Sequence, residues 1–248
     1  MNLEIALVQF AVAPSDPLQN LARMETFIQQ AAENLAQLVV FPEDAVTGPL
    51  SGQTGFVQYA PQYLSAFQGL AVKYGVDLVP GTWSVSDGVA AYNTAYYINK
   101  DGSVGGVYRK INLWDSERAL VTPGTAVSVF RTRHGVVGLA ICWDLSFPAL
   151  FQEAKALGAE LVVVPAYWAF GAQGAPTEQM KGTELIDALC TARAFENDLL
   201  IAYCNATGTL HAEGVDAVLS GRSQIVHPTL GAQCRATANE EQILQCRI

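Results

Sequence analysis

The sequence is poor in charge and poor in histidine. Only 15% of its 248 residues are charged and three are histidine, against 50% hydrophobic. It has no basic patch; the densest cationic groups are Arg109-Lys110 and Arg131-Thr132-Arg133, in a chain of net charge −9. A nucleic acid or an acidic membrane surface is therefore not an expected partner. No apolar run approaches the roughly 18 residues of a membrane span. The opening residues lack the basic segment, apolar stretch and small-residue cleavage site of a secretory leader, so none is expected. The five cysteines, at 142, 190, 204, 234 and 246, are odd in number and scattered. That pattern argues against a disulfide framework and for reduced thiols in a cytoplasm. No histidine lies in ligand spacing to a cysteine or another histidine, so neither a metal nor another cofactor is expected. Nor does any Pro/Gly/Ser linker divide the chain, and residues 1–248 read as one domain.

What is present is an alternation of short apolar strands and amphipathic helices. Residues 3–8 read as a strand. Asp16-Pro17 is an N-cap followed by a first-turn proline, with Leu21, Met24, Phe27, Ile28, Ala31, Ala32 and Leu35 at helical spacing after it. Leu38–Phe41 is a buried strand stopped by Pro42. A helix over Tyr63–Tyr74 ends at Gly75, with a strand at Val76–Val79. Strands Asn93–Ile98 and Val104–Arg109 are joined by a hairpin at Asn99–Gly102. In the second half, Ala126–Arg131 and Val136–Cys142 are strands, Pro148–Leu157 a helix closed by Gly158, and Leu161–Val164 a strand ended by Pro165. Glu178–Asn197 is a long helix, and Leu199–Cys204, Ser223–Val226 and Ile243–Ile248 are further strands. Helices interleaved with strands imply an α/β layered fold with helices on both faces of the sheets.

Three reactive side chains end apolar strands: Glu43 after Val39-Val40-Phe41-Pro42, Lys110 after Val107-Tyr108-Arg109, and Cys142 after Leu139-Ala140-Ile141. Strand ends are where layered α/β proteins gather catalytic groups. A thiol on a sharp strand-to-helix turn is exposed beside free backbone N–H groups. Glu43 would serve it as base, and Lys110 as a cation favouring the thiolate and a developing oxyanion together with the Trp143 amide. Spacing alone leaves open whether the three meet. A cysteine ending an apolar strand is more often an inert core residue, and Glu43 and Lys110 alone more often solvated loop residues or a structural pair.

The chain resembles the carbon–nitrogen hydrolase (nitrilase) superfamily over nearly its whole length. The match is carried by Val40-Phe41-Pro42-Glu43 with Thr47-Gly48, by Tyr108-Arg109-Lys110, and by Ile141-Cys142-Trp143-Asp144. Supporting matches are Val164-Pro165-Ala166-Tyr167-Trp168, Arg193–Asn197 and Gly221–Ile225. The resemblance implies an α-β-β-α sandwich, assembled as dimers or larger homo-oligomers. It implies Glu43 as general base, Lys110 as stabiliser and Cys142 as a nucleophile forming a thioester, with release of ammonia or an amine. Glu117, before Thr122-Pro123-Gly124, matches a second glutamate that orients the lysine and substrate. The expected substrate is a small amide, or alternatively a nitrile.

Two departures bear on substrate. Relatives acting on ω-amides of dicarboxylates carry Arg four residues after the nucleophile, where this chain has Ser146, and Asn112 stands where many have His. The chain ends at Ile248, before the family's usual C-terminal extension, so part of an interface tail is expected to lie outside it. Trp168 and Tyr167 are candidate pocket residues with core packing as the alternative. Asp144 is read as fixing the turn after Cys142, and Arg193 and Glu196 as a structural pair. Two rival readings are a non-catalytic member of the fold and a Cys–His amidotransferase using His227.

Overall fold

The computed structural model describes residues 2–50, 55–171, 176–212, 215–237 and 239–248, with the backbone alone for 171, 176–181, 211, 212, 215 and 216. Strand β1 (Glu4–Gln9) alternates between two buried clusters: Ile5 and Leu7 join one, Ala6 and Val8 the other. That period of two places β1 inside a sheet covered on both faces. Helix α1 (Pro17–Glu33) starts where the Asp16 carboxylate accepts the Gln19 N–H at 3.1 Å. After β2 (Leu38–Val40), helix α2 (Ala60–Tyr74) stops at Gly75, whose φ of 68° is the left-handed conformation glycine adopts without Cβ strain. Strands β3 (Asp77–Val79), β4 (Thr82–Ser86), β5 (Ala91–Ile98) and β6 (Val104–Arg109) complete the first half. The Asn99 N–H to Ser103 carbonyl bond closes the β5–β6 hairpin at 2.8 Å.

The second half continues with β7 (Ser128–Thr132), β8 (Gly135–Leu139), α3 (Pro148–Ala156), β9 (Leu161–Ala166), β10 (Ala169–Gly171) and α4 (Pro176–Asn197). It ends with β11 (Leu200–Asn205), β12 (Thr207–Ala212), β13 (Val215–Ser220), β14 (Gln224–His227), β15 (Gly231–Arg235) and β16 (Gln242–Arg247). One sheet runs β16-β1-β2-β3-β5-β4 with β6 on β5; the other runs β15-β14-β11-β9-β8-β7. A small third sheet is ordered β10-β13-β12.

Two clusters give the layers. One gathers Leu7, Val40 and Tyr97 of the first sheet with Leu139, Val163 and Ala202 of the second and Phe151 and Ile186 of α3 and α4. The other gathers Ala6, Val8, Val39 and Leu78 with Met24 and Ile28 of α1 and Phe67 and Ala71 of α2. Tyr97 and Phe130 meet across the sheets at 5.3 Å between ring centroids. The order is helices, sheet, sheet, helices, the α-β-β-α sandwich expected from the sequence. Among the described residues no helix is long and apolar enough to cross a membrane.

Three local expectations are corrected. Strand β9 does not end at Pro165 but pairs it with Cys204 of β11 and runs to Ala166. Val163 turns its carbonyl toward β8, accepting from Ala140 N–H, so Pro165, two residues on, turns its missing N–H to the same side. The β8 ladder has already ended there, and the proline sacrifices no bond. Strand β8 ends at Leu139 rather than Cys142, which opens a 3-10 turn, Cys142–Ser146. Strands β4, β10, β12, β13 and β15 were not anticipated: threonine, serine and glycine interrupt their apolar residues, and pairing with neighbours decides their conformation.

Candidate active site

Strand ends from both sheets converge on a cavity of about 510 Å³. Glu43, Asp44, Lys110, Ser116, Glu117 and Cys142 form its polar lining, and Leu50, Trp114, Leu120, Trp143, Trp168 and Leu210 are among its apolar walls. The structure thus brings together Glu43, Lys110, Glu117 and Cys142, with Trp143 and Trp168 beside them. It does not bring in Ser146, which ends the 3-10 turn half-buried and outside the lining.

Glu43 leaves β2 through Phe41-Pro42 and is buried, as are Lys110 and Glu117. Tight backbone packing sets these positions. A Cβ on Gly81 would meet the Pro42 carbonyl oxygen at 1.9 Å, and one on Gly124 would meet that of Arg109 at 2.2 Å. Gly124 also donates its N–H to the Lys110 carbonyl at 2.8 Å, so the Thr122-Pro123-Gly124 turn lies directly on the strand end that carries the lysine. Glutamate 117 sits in a 3-10 turn, Asp115–Ala119, and accepts the Trp114 N–H at 2.6 Å.

The charges form one network. Lys110 Nζ lies 2.9 Å from Glu43 Oε1 and 2.8 Å from Glu117 Oε2. Glu43 Oε2 accepts the Tyr167 N–H at 3.0 Å. Asn93 Nδ2 donates to Glu43 Oε1 at 2.8 Å and to Glu117 Oε1 at 3.2 Å. Burial by itself would lower the Lys110 pKa, but the charges of Glu43 and Glu117 outweigh it and favour the protonated ammonium. Burial, then the Glu43 charge, raises Glu117 above the ordinary carboxylate range despite Lys110. Burial and the Glu43 charge also push the Cys142 thiol well up, with Lys110 and the Tyr167 N–H opposing. Burial thus favours the thiol form beside the Glu43 carboxylate, and Lys110 acts on the sulfur in the opposite direction.

Cys142 has φ 46°, a left-handed conformation that costs a residue with a Cβ roughly 1–2 kcal/mol. Asp44, next to Glu43, has φ 57°. Such strain persists where the surroundings over-determine it, and around Cys142 they do. Asp144 accepts the Ile141 N–H (2.9 Å), the Tyr108 hydroxyl (2.8 Å) and the N–H groups of Asn112 (2.8 and 2.9 Å). Asn112 therefore buttresses the turn that begins at Cys142. Arg193 donates to the Leu145 carbonyl and to Glu196, both at 3.0 Å, tying α4 to the same turn. The Trp143 N–H lies in the first turn of the 3-10 segment, where N–H groups have no intrahelical acceptor, and Trp143 lines the cavity.

Three contributors were missed in the sequence. Asn93 was noticed only as a strand start, although a polar amide in a strand of otherwise apolar and aromatic residues is itself a signal. The Tyr167 amide carries no side-chain signal at all. Asn205 holds the segment after β9 in place: Oδ1 accepts the Trp168 N–H at 2.8 Å and Nδ2 reaches the Trp168 and Gly221 carbonyls. His227 accepts the N–H groups of Thr229 and Leu230 at the end of β14, and neither it nor His134 lines the cavity. Among the described residues no cluster of three or more His, Cys, Asp or Glu has metal-holding geometry.

Comparison with known proteins agrees with this arrangement. A carbon–nitrogen hydrolase family model matches residues 4–248. The chain is 32% identical to a probable nitrilase of Schizosaccharomyces pombe over 98% of its own length and 86% of the relative's. It is 29% identical to an omega-amidase of Xenopus tropicalis over 100% and 88% of the two chains. Among solved structures, an amidase from Nesterenkonia sp. AN1 superposes with a TM-score of 0.87 at 28% identity, covering 99% of this chain and 92% of that one. A carbon–nitrogen hydrolase from Helicobacter pylori G27 shares the fold with a TM-score of 0.93 at 22% identity, covering 100% and 89%. One structure of the Nesterenkonia amidase shows acrylamide added to its active-site cysteine. The chain is an enzyme of the carbon–nitrogen hydrolase family, an amidase/nitrilase-type hydrolase.

Proposed function

We propose that the enzyme hydrolyses a small, neutral amide through a thioester on Cys142. The observation that carries this reading is the single network of Glu43, Lys110 and Glu117 in the cavity that Cys142 lines. Glu43 takes the thiol proton, and the sulfur attacks the amide carbonyl carbon. Lys110 Nζ and the Trp143 N–H stabilise the oxyanion, in a site where fixed donors replace reorganising water. The tetrahedral intermediate collapses to the thioester, and Glu43 returns the proton to the departing ammonia or amine. Glu43 then deprotonates water, which attacks the thioester and releases the carboxylic acid and the thiol. Glu117 holds Lys110 in line through both carboxylate oxygens.

The lining supports a neutral acyl group. Among the described residues Lys110 is the one basic side chain of the cavity lining, and two carboxylates already occupy it. Arg222 is bound to Asp187 at 2.6 Å, and neither it nor Arg118 faces the cavity. Among the described residues none therefore offers a substrate carboxylate a bidentate cation. Trp114 meets Trp143 edge-on at 4.5 Å between centroids, Trp143 meets Trp168 at a tilt at 5.4 Å, and the three form an apolar wall for the acyl chain.

Ammonia release from a panel of neutral amides, dicarboxylate ω-amides and nitriles tests the reaction, with intact-mass detection of an acyl adduct on Cys142. Cys142→Ala is expected to stay folded and lose both turnover and adduct. Turnover surviving in that variant would refute the covalent route. The yeast relative's designation as a probable nitrilase is the reason for the nitrile arm. Ammonia released faster from nitriles than from every amide would move the proposal to nitrile hydrolysis by way of a thioimidate.

A further inference from the structure

We infer that Asn93 is a positioning residue of the reaction: its amide anchors Oε1 of Glu43 and leaves Oε2 as the oxygen that exchanges protons with Cys142. The inference rests on the reading of Glu43 as base, and adds to it which atom acts and what holds it there.

Asn93 is fully buried at the start of β5. The β5–β6 register pairs Thr94 with Arg109, which sets Asn93 opposite Lys110, and its carbonyl accepts the Lys110 N–H at 2.9 Å. One residue thus touches all three charged groups: Lys110 through the backbone, Glu43 and Glu117 through Nδ2. Its Oδ1 is buried and meets no donor among the described residues. Turning the amide over would set Oδ1 against two carboxylates, so the orientation with nitrogen toward the glutamates is dictated by charge. A buried acceptor without a donor is ordinarily destabilising. That the fold retains one here indicates that the two donors on Nδ2 are what the position requires.

The Glu43 oxygens then differ. Oε1 receives both Lys110 Nζ (2.9 Å) and Asn93 Nδ2 (2.8 Å), which fill its lone-pair directions. Among the described residues Oε2 receives the Tyr167 N–H alone (3.0 Å), the same amide that acts on the Cys142 sulfur. Oε2 therefore keeps a lone pair and shares its one donor with the thiol. Without Asn93 the carboxylate is free to rotate about its last torsion and share Oε1 with Lys110 alone, so base and thiol lose alignment. The titratable groups of the cavity around this network are Glu43, Lys110, Glu117 and Cys142, with Asp44 and Tyr167 also in its lining.

The test uses Asn93→Ala, Asn93→Ser and Asn93→Asp, each checked for folding by circular dichroism. The readouts are the pH profile of kcat/KM and the rate of iodoacetamide alkylation mapped to the Cys142 peptide. Loss of one hydrogen bond to a charged group predicts roughly a tenfold or greater fall in Asn93→Ala. Its acid limb should move up, because Glu117, already raised by burial and the Glu43 charge, loses a donor to its charged form. Asn93→Ser, which keeps one donor, should lie between. Asn93→Asp adds a third carboxylate when ionised but supplies an O–H donor when protonated. Its rate relative to Asn93→Ala should therefore rise as the pH is lowered from about 8 to about 6, a crossover that a packing role would not produce. Folded variants with wild-type limb, rate and alkylation, or a flat Asp-to-Ala ratio, overturn the inference. Should Asn93→Ala not fold, the Asp and Ser variants decide by the same comparison. Glu43→Gln separates the two readings. If it leaves Cys142 alkylation unchanged, the assignment of the base has failed; if it slows alkylation and Asn93→Ala does not, only the role of Asn93 has.

Discussion

Replacing Lys110 by methionine removes a buried cation and leaves its two buried partners facing each other. Lys110 is 1% exposed, with Glu43 at 2.9 Å and Glu117 at 2.8 Å. Breaking a buried pair by removing one partner costs roughly 3–5 kcal/mol, since the remaining charge keeps its desolvation penalty. In a chain of this size each kcal/mol corresponds to about 2–4 °C. The melting temperature should therefore fall by roughly 6–20 °C near pH 8. The pH dependence has a definite sign. Burial and the Glu43 charge already hold Glu117 above its ordinary value of 4.5, and without Lys110 the elevation grows. A carboxyl whose folded-state value lies above the unfolded one binds a proton that the unfolded chain releases. Stability then declines as pH rises through the window between 4.5 and the raised value, and recovers on acidification. The deficit of Lys110→Met should accordingly be largest near pH 8 and shrink toward pH 5. Adding Glu117→Gln should restore part of it, because one of the two unpaired charges is gone. Thermal unfolding by circular dichroism from about pH 5 to about pH 8, on wild type, both single variants and the double, gives the cycle. Wild-type stability of Lys110→Met at pH 8, or a deficit that does not vary with pH, would refute the reasoning.

Three further outcomes are expected. Glu43→Gln should cost roughly 100-fold or more in kcat/KM, since an amide cannot accept the thiol proton. His227→Ala, remote from the cavity, should leave the rate unchanged; a collapse in the second with tolerance of the first would reinstate a Cys–His mechanism. Neutral amides should be turned over faster than succinamate or α-ketoglutaramate, and Ser146→Arg should improve the acidic substrates alone. Wild type preferring succinamate over an uncharged amide of equal length would remove position 146 and the cavity's charge from the account of specificity. We also expect at least a homodimer, with exposed Phe147 and Leu157 around α3 and Leu185 and Phe195 on α4 as covered surface. Light scattering at micromolar concentration giving the 26.5 kDa mass of one chain would count against it.

Much of the architecture was legible in local patterns because those patterns report which faces are buried. The period-two alternation of β1, the Asp16-Pro17 start of α1 and the Gly75 stop of α2 each act within a few residues. Strands β12 and β13 were not legible: their stability comes from each other and from β10, a pairing that no local propensity encodes. Pro165 misled for the same reason, since whether a proline ends a strand depends on where its neighbour stops. The site divides likewise. Glu43, Lys110 and Cys142 were recognisable as reactive residues at strand ends, and the order of their surrounding motifs pointed to the family. Their meeting was a tertiary fact, made by two sheets that place β2, β6 and the turn after β8 at one edge of the sandwich. Only the fold could reveal the left-handed backbone at Cys142, the Tyr167 amide on Glu43 and the buried Asn93 between two carboxylates. Sequence determines which side chains can do chemistry. Burial and hydrogen bonding from distant elements decide which of their atoms are left free to do it.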